Sequence, residues 1–246
     1  ALGADACEIY TDVLGVYTAD PRLCAKADKI ENITFDEMME MASLGSKVLQ
    51  IRCVELAMNH NMPIRVRSTF SDDPGTLVQA ESGPLERINV RGISHTQHEA
   101  KVTVRRVPDR PGMVAKIFSK LAAAQINVDV IVQNIADHGR TDISFTTDQA
   151  DLKRAEALVS EVAREVGAEG VEVDGAVGKV SIVGVGMMSH PGVAASMFEA
   201  MRAANVNILM ITTSEIKVTC VIHAIDTEVA VNALHTAFGL DAPVRY

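Results

Sequence analysis

The sequence contains no tryptophan, and aromatic residues fill only 4% of its 246 positions. Packing must therefore rest on aliphatic side chains and methionine, and a hydrophobic content of 48% supports filled cores rather than disorder. Basic residues are also few, 23 against 32 acidic ones, which gives a net charge of −9. We therefore expect neither nucleic acid nor anionic lipid as a partner. No apolar run approaches the ~18 residues of a membrane span, and the first residues show no basic-then-apolar signal.

Cysteine is scarce as well, with four residues that form no CxxC motif and show no regular spacing: Cys7, Cys24, Cys53 and Cys220. In a chain of this size this pattern indicates reduced core thiols of a cytoplasmic protein. The seven histidines include no HExxH motif and no pair with metal-ligand spacing, so we expect no metal site. His190 falls in the predicted first turn of a helix, where a positive charge opposes the dipole, so we expect it to be neutral or paired.

An internal repeat organises the second half of the chain. Residues 109–134 align without gaps on residues 189–214, with Pro-Gly, Phe, Ala-Ala and Asn in register. Each copy follows a strand-like run, KVTVRRV or KVSIVGV, and precedes two more strands and a helix. The order strand–helix–strand–strand–helix, twice over, predicts two ferredoxin-like βαββαβ units of roughly 75 residues each.

The helix starts of the two repeats attract particular interest. Asp109 and Ser189 are predicted N-caps, and Pro111 and Pro191 fit the first helical turn. The free amides of a helix start also suit the carboxylate of a small amino acid, so capping alone and ligand binding both stay open. Polar or acidic residues at strand positions near these turns are Gln133, Asn207, Ser214 and Glu215.

Residues 1 to about 80 follow a different pattern. Thr34 and Glu37 predict a capping box that opens a helix, which Gly45 can close. SKVLQIRCVELAMNHN predicts a second helix, and MPIRVRSTF predicts a strand. SDDPGT then predicts a turn, and QAESGPLER a polar linker. The region is therefore an α/β piece.

Two stretches raise the question of nucleotide binding. VGVGMMSHPG (183–192) resembles a dinucleotide loop, but Ser189 replaces its third glycine, so we interpret it as a tight turn. Polar groups cluster around a glycine turn in YTDVLGVYTADPR (10–22), and GSK places Lys47 at a predicted helix start. Taken alone, the cluster and Lys47 are equally consistent with a solvated loop and a surface lysine.

Several blocks of the sequence occur in the same order as in one known family: YTDVLGVYTADPR, ITFDEMMEMASLGSKVLQIRCVELA, VPDRPGMVAKIF, INVDVIVQN and VNILMITTSEIKV. Together they resemble aspartate kinase from residue 1 to about 240. The resemblance implies the C-terminal part of an amino-acid-kinase α/β domain followed by two ACT domains, the amino-acid-sensing modules with βαββαβ topology. The glycine-rich loop and most of the aspartate-binding residues of that family are not found in this sequence, so we expect no catalytic residue within it.

The resemblance also implies sites. MgATP would be a substrate, with no tightly bound cofactor, and would contact Thr11, Asp12, Tyr17, Arg22 and Lys47. Threonine, lysine or both would bind as effectors at Asp109, Gly112, Ala115 and Gln133 in the first ACT domain. In the second ACT domain the effector residues would be Asn207, Ile208, Ser214 and Glu215. Paired ACT domains imply a homodimer or a higher oligomer.

The expected boundaries are a kinase part (1–80), a linker with an extra strand (81–97), and ACT domains at 98–174 and 175–246. In this interpretation the chain is a cut piece of an aspartate kinase, which catalyses the first step of lysine, threonine and methionine biosynthesis. A natural non-catalytic regulatory subunit and a stand-alone ACT sensor are the alternatives.

Overall fold

The computed structural model describes residues 3–44, 48–80, 90–134 and 137–241, without the side chains of residues 188 and 189. The chain divides into two compact units. The first contains residues 1–96, 180–220 and 226–246, and the second contains residues 97–179 and 221–225. Most of these limits fall inside strands and do not test the expected domain boundaries, which stay a prediction.

The N-terminal part of the first unit forms a mixed α/β layer. Its elements are β1 (Cys7–Thr11), β2 (Asn32–Thr34), α1 (Phe35–Ser43), α2 (Ile51–Asn59), β3 (Ile64–Ser68) and β4 (Thr76–Gln79). The strand order is β1-β3-β4-β2, with β1 parallel to β3, β2 parallel to β4, and β3 antiparallel to β4. Its core includes Ile33, Met38, Val54 and Val66.

The capping box predicted at α1 is confirmed. Thr34 Oγ1 accepts a hydrogen bond from the Glu37 amide, and the Glu37 carboxylate accepts one from the Thr34 amide. Helix α1 ends at Ser43, while Gly45 and Lys47 lie outside the described residues. Helix α2 begins only at Ile51, later than the predicted second helix.

The reversal predicted at SDDPGT is also confirmed, because the flanking strands β3 and β4 pair antiparallel. The Gly75 amide donates to Asp73 Oδ1 at 2.7 Å within it. Most of the predicted polar linker QAESGPLER falls outside the described part of the chain.

A βαββαβ module fills the second unit. Its elements are β5 (Gly92–Pro108), α3 (Met113–Ala123), β6 (Ile131–Gln133), β7 (Arg140–Asp148), α4 (Leu152–Val166) and β8 (Gly170–Val183). The strand order β6-β7-β5-β8 is that of a ferredoxin-like sheet, as the sequence predicted. Strand β6 is much shorter than the predicted strand INVDVIVQN.

The second module lies largely in the first unit, with residues 221–225 assigned to the second unit. It uses the end of β8 and then α5 (Val193–Ala203), β9 (Ile208–Thr213), β10 (Lys217–His223) and α6 (Thr227–Ala237). Its strand order is β9-β10-β8-β5, so the start of β5 supplies the fourth strand. The Arg91 amide donates to Val183 O at 2.7 Å at this edge.

The predicted N-caps Asp109 and Ser189 are wrong. Helix α3 begins at Met113 with Gly112 at its N-cap, and Gly112 has a left-handed φ of 90° that suits glycine. Gly192 has the same role for α5, with φ 102°. Each Pro-Gly pair therefore lies ahead of its helix as a turn, and the expected first-turn prolines are displaced with it.

The expected set of four core thiols is only partly correct. All four cysteines are free, and Cys24 and Cys220 are buried. Cys53 is half-buried, and Cys7 is exposed on β1. No residue of β1 is fully buried, and its first residue, Cys7, is exposed. The sequence did not indicate this exposure.

Candidate functional site

A cavity of about 480 Å³ opens in the first unit. Four of the residues predicted for the nucleotide line it: Thr11, Asp12, Tyr17 and Arg22. The fifth predicted residue, Lys47, lies outside the described residues. A cavity of this size suits a small-molecule ligand.

The first wall forms where β1 ends. Thr11 Oγ1 accepts a hydrogen bond from the Val13 amide at 3.2 Å and donates one to Asp12 Oδ1 at 3.1 Å. This local hydroxyl turn redirects the chain away from the sheet. It leaves Thr11, Asp12 and Val13 side by side at the cavity.

A buried hydroxyl fixes the next part of the wall. Thr76 Oγ1 accepts from the Val16 amide at 2.8 Å and donates to Ile30 O at 2.6 Å. A Cβ on Gly15 would lie 2.5 Å from that oxygen, so this close approach of the chain requires glycine. The glycine turn that the sequence predicted therefore has a packing cause.

Asp20 and Arg22 form a bidentate ion pair at the cavity. Arg22 Nη2 lies 2.7 Å from Asp20 Oδ2, and Arg22 Nε lies 3.0 Å from Asp20 Oδ1. The hydrogen bonds from Arg22 hold the pKa of Asp20 below its usual value. The Arg22 side chain is 87% exposed, so its guanidinium stays accessible to an anionic ligand.

Sequence reasoning missed the lining residues that lie outside the stretch 10–22. Met41 of α1 and Val48 add apolar surface, and the start of β5 adds Ile93, Ser94 and His95. The Ile93 amide donates to Thr18 O at 2.7 Å, which ties this strand to the segment that lines the cavity. No local sequence signal marks Ile93, Ser94 and His95, because they reach the cavity through this long-range strand contact.

His95 brings a titratable ring to the cavity. Burial lowers its pKa, and nearby Arg22 adds to this effect while Asp20 opposes it. The lowered pKa favours the uncharged ring, which can both donate and accept a hydrogen bond.

The first set of expected effector residues is solvent-accessible in the second unit. Asp109, Gly112, Ala115 and Gln133 are all exposed. Gln133 ends the edge strand β6 opposite Ile143 of β7, and Asp109 follows the end of β5. Strands β5 and β6 run in the same direction, so their carboxyl ends lie at the same end of the sheet. Asp109 and Gln133 therefore lie at the end of the sheet where α3 begins.

The second set does not come together within its module. Asn207 and Ile208 lie at the start of β9, whereas Ser214 and Glu215 follow its end. The six-residue strand between them spans about 20 Å. Only Ser214 and Glu215 therefore lie at the end of the sheet where α5 begins. The expected position of Asn207 near the turn that precedes α5 is wrong.

His190 precedes α5 instead of lying in its first turn, so that expected position is wrong. The ring is paired as predicted, with Nδ1 2.8 Å from Gly186 O. Among the described residues, no group of three or more His, Cys, Asp and Glu side chains is arranged to hold a metal ion. No helix in the described part of the chain is long and apolar enough to cross a membrane.

The fold defines a class of protein, a mixed α/β segment joined to two ferredoxin-like modules. Residues 1–68 match the amino acid kinase family, and residues 101–166 and 180–238 each match an ACT domain. The chain belongs to the aspartate kinase family. It is 52% identical over 246 residues to the aspartate kinase of Pseudomonas putida, covering 100% of this chain and 60% of that protein.

Solved structures agree with this. The chain is 43% identical to a structure of aspartokinase alpha and beta subunits, with a TM-score of 0.58, covering 61% of this chain and 99% of that one. Escherichia coli aspartokinase III in complex with aspartate and ADP is 26% identical, with a TM-score of 0.78. The same enzyme with lysine and aspartate is 27% identical, with a TM-score of 0.75. These two matches cover 96% of this chain and 53% and 52% of theirs.

Proposed function

We propose that the chain supplies the nucleotide side and the regulatory part of an aspartate kinase, which transfers the γ-phosphoryl group of MgATP to the β-carboxylate of aspartate. The chain spans about 60% of the length of its curated Pseudomonas putida relative, so the whole reaction is part of the proposal. The observation that carries it is the cavity, which gathers Thr11, Asp12, Tyr17 and Arg22.

The proposed roles follow from the chemistry of the lining. Met41, Val48 and Ile93 offer apolar surface to the base, and the accessible guanidinium of Arg22 offers charge to the phosphates. Lys47 is proposed as a second phosphate contact by family resemblance. Phosphoryl transfer depends mainly on such positioning and charge neutralisation. We assign no catalytic residue, and we predict that the chain alone forms no aspartyl phosphate.

Calorimetric titration of the chain with MgATP tests the cavity. Arg22→Ala is expected to weaken binding by roughly 1–3 kcal/mol, the effect of losing a charge-assisted contact. Arg202→Ala is the matched control, because Arg202 forms a similar exposed pair with Glu199 on α5. Equal affinity in both variants, or no binding to the unmodified chain, would contradict the proposal.

We propose threonine, lysine or both as effectors of the ACT modules. The matches to two ACT domains and to an aspartokinase structure that contains lysine support this. The exposed edge at Asp109 and Gln133 supplies an acidic group and an amide for an amino acid's ammonium. The expected site at Ser214 and Glu215 offers a hydroxyl and an acidic group.

We also propose a homodimer, or a higher oligomer, built through the ACT sheets. Edge strand β6 exposes 49% of Ile131, and edge strand β9 exposes 43% of Ile211, and such apolar edges favour pairing. Sedimentation should give a mass above that of one 26.4 kDa chain. Ile131→Lys or Ile211→Lys should lower the mass, and a chain that sediments as a monomer at every concentration would exclude the dimer.

A non-catalytic regulatory subunit is the second candidate, since one aspartokinase subunit structure is covered over 99% of its length. That match covers only 61% of this chain. Binding of MgATP in the titration described above would favour the kinase part over this alternative. The match of residues 1–68 to the amino acid kinase family does not support a sensor fused to an unrelated α/β piece.

A further inference from the structure

The segment of residues 17–24, here the cavity loop, supplies much of one cavity wall. Tyr17 and the consecutive residues Ala19, Asp20, Pro21 and Arg22 all line the cavity. The loop belongs to no regular strand or helix. Its shape therefore rests on individual hydrogen bonds, some within the loop and some from its neighbours.

Helix α6 of the second ACT module contacts this loop at both ends. His235 Nε2 lies 2.9 Å from Thr18 Oγ1, and both residues are buried. One turn earlier on the same helix, Asn232 Nδ2 donates to Leu23 O at 2.8 Å. The two bonds bracket the residues 19–22 that face the cavity.

Thr18 is the better fixed of the two anchors. Its amide donates to Asp28 O at 2.9 Å, and its hydroxyl oxygen accepts from the Asp28 amide at 3.0 Å. Its carbonyl accepts from the Ile93 amide. His235 therefore completes the set of partners of Thr18 from the helix side.

Leu23 is held less tightly by the loop itself. Within the loop, the Leu23 and Cys24 amides both donate to Asp20 O, at 3.0 and 2.9 Å. Those bonds shape the turn, while Asn232 joins it to α6. Asn232 Nδ2 also donates to Glu228 O in its own helix. This second bond fixes the orientation of the side chain that contacts the loop.

From this geometry we infer that Asn232 and His235 are positioning residues for the cavity, so that a helix of the regulatory module forms part of the ligand site's support. The inference rests on the proposed nucleotide function for its ligand, MgATP. Its structural half, the holding of the cavity loop by α6, needs no ligand.

Two variants of the full chain test this. Asn232→Ala removes the donor to Leu23 O and keeps helix propensity, and His235→Leu removes the partner of Thr18. Ser181→Ala is the matched control, because it breaks a buried hydroxyl pair with Thr219, 2.7 Å long, in the sheet of the same module.

Hydrogen exchange is the first measurement. In Asn232→Ala and His235→Leu, the amides of residues 18–24 should exchange about fivefold faster or more, the effect of losing one hydrogen bond. In Ser181→Ala they should exchange as in the unmodified chain. Rates in residues 18–24 that match the control in both variants would overturn the inference.

Affinity for MgATP is the second measurement. Both variants should bind MgATP about five- to tenfold more weakly, with His235→Gln, which keeps a side-chain hydrogen-bonding group, closer to the unmodified chain. Faster exchange with unchanged affinity would overturn the positioning role. If the unmodified chain binds no MgATP, the proposed function fails, and hydrogen exchange alone then decides whether α6 holds the loop.

Discussion

Glu37 Oε1 accepts a hydrogen bond from the backbone amide of Val185 at 3.1 Å, across 148 residues of sequence. The other carboxylate oxygen of Glu37 accepts from the Thr34 amide and lies 3.5 Å from Arg91 Nε. With 1% of Glu37 exposed, this one carboxylate completes a helix cap and also joins α1 to the turn that follows β8. The first unit is therefore held together by a buried charge as well as by apolar packing.

Glu37→Ala should strongly destabilise the first unit. The change removes the cap and leaves the Val185 amide and the Arg91 guanidinium without this carboxylate, and breaking a buried pair on one side costs about 3–5 kcal/mol. Asp36→Ala is the control, because Asp36 is exposed in the same helical turn. Urea unfolding should show a loss below about 1 kcal/mol for Asp36→Ala. Similar losses in both variants would contradict the assigned role of Glu37.

Glu37 has one local contact, which the sequence could predict, and one distant contact, which it could not. The Thr34–Glu37 spacing is local, so the capping box was predictable from four residues. The bond to Val185 was not, because it depends on how distant segments pack. Thr11, Asp12, Tyr17 and Arg22 stand in one short stretch, but only the family resemblance assigned them to a nucleotide site. Neither the stretch nor the resemblance indicated Ser94 and His95.

The helix starts show where local rules competed. Asp109 is a good N-cap residue by type, but Gly112 tolerates the left-handed conformation that turns the chain into α3. The Pro-Gly turn therefore sets the start of the helix three residues later. The strand order of both modules was predictable because the repeat carries it twice, but the contribution of β5 to the second sheet had only family resemblance as a guide.

Stability should fall on mild acidification. Burial lowers the pKa of His235, Lys26 adds to this, and Asp241 and Asp28 oppose it. Because the folded pKa lies below the ordinary 6.5, the unfolded chain binds more protons between the two values. The stabilising contribution of neutral His235 is therefore complete above about pH 6.5 and is lost as the pH falls through the folded pKa.

Urea unfolding at pH 7.5 and pH 5.5 measures this effect. The loss between the two values should shrink in His235→Gln, since the variant has no ring to protonate. His60→Gln, at an exposed position at the end of α2, should keep the full loss. A pH dependence that is the same in His235→Gln and the unmodified chain would rule out His235 as its source.

Thiol reactivity should separate the four cysteines. Thiolates are the reactive form, and burial raises the pKa of Cys220 to about 12. A thiol reagent at pH 8 should label exposed Cys7 first, half-buried Cys53 slowly, and Cys24 and Cys220 only after unfolding. Mass spectrometry of labelled peptides checks the order. Cys7→Ser should remove the fast phase, and rapid native labelling of Cys220 would show that the core is open.

Gln133→Ala should weaken binding of threonine or lysine by roughly 1–3 kcal/mol, about 5- to 150-fold, if its amide pairs with the bound amino acid. Gln133 is exposed at the end of an edge strand, so its truncation should leave stability within about 0.5 kcal/mol. Gln97→Ala is the matched control, because Gln97 is an exposed strand glutamine in the same unit.

Asp109→Ala becomes an equally clean test of the effector site, because Gly112 rather than Asp109 caps α3. An N-cap would lose about 1 kcal/mol of stability on truncation, which would confuse stability with binding. The structure removes that complication, so a loss of affinity at Asp109 would report on the ligand. Calorimetry should show weaker binding in both Asp109→Ala and Gln133→Ala and unchanged binding in Gln97→Ala. Undiminished affinity in both test variants would move the effector site away from this sheet edge.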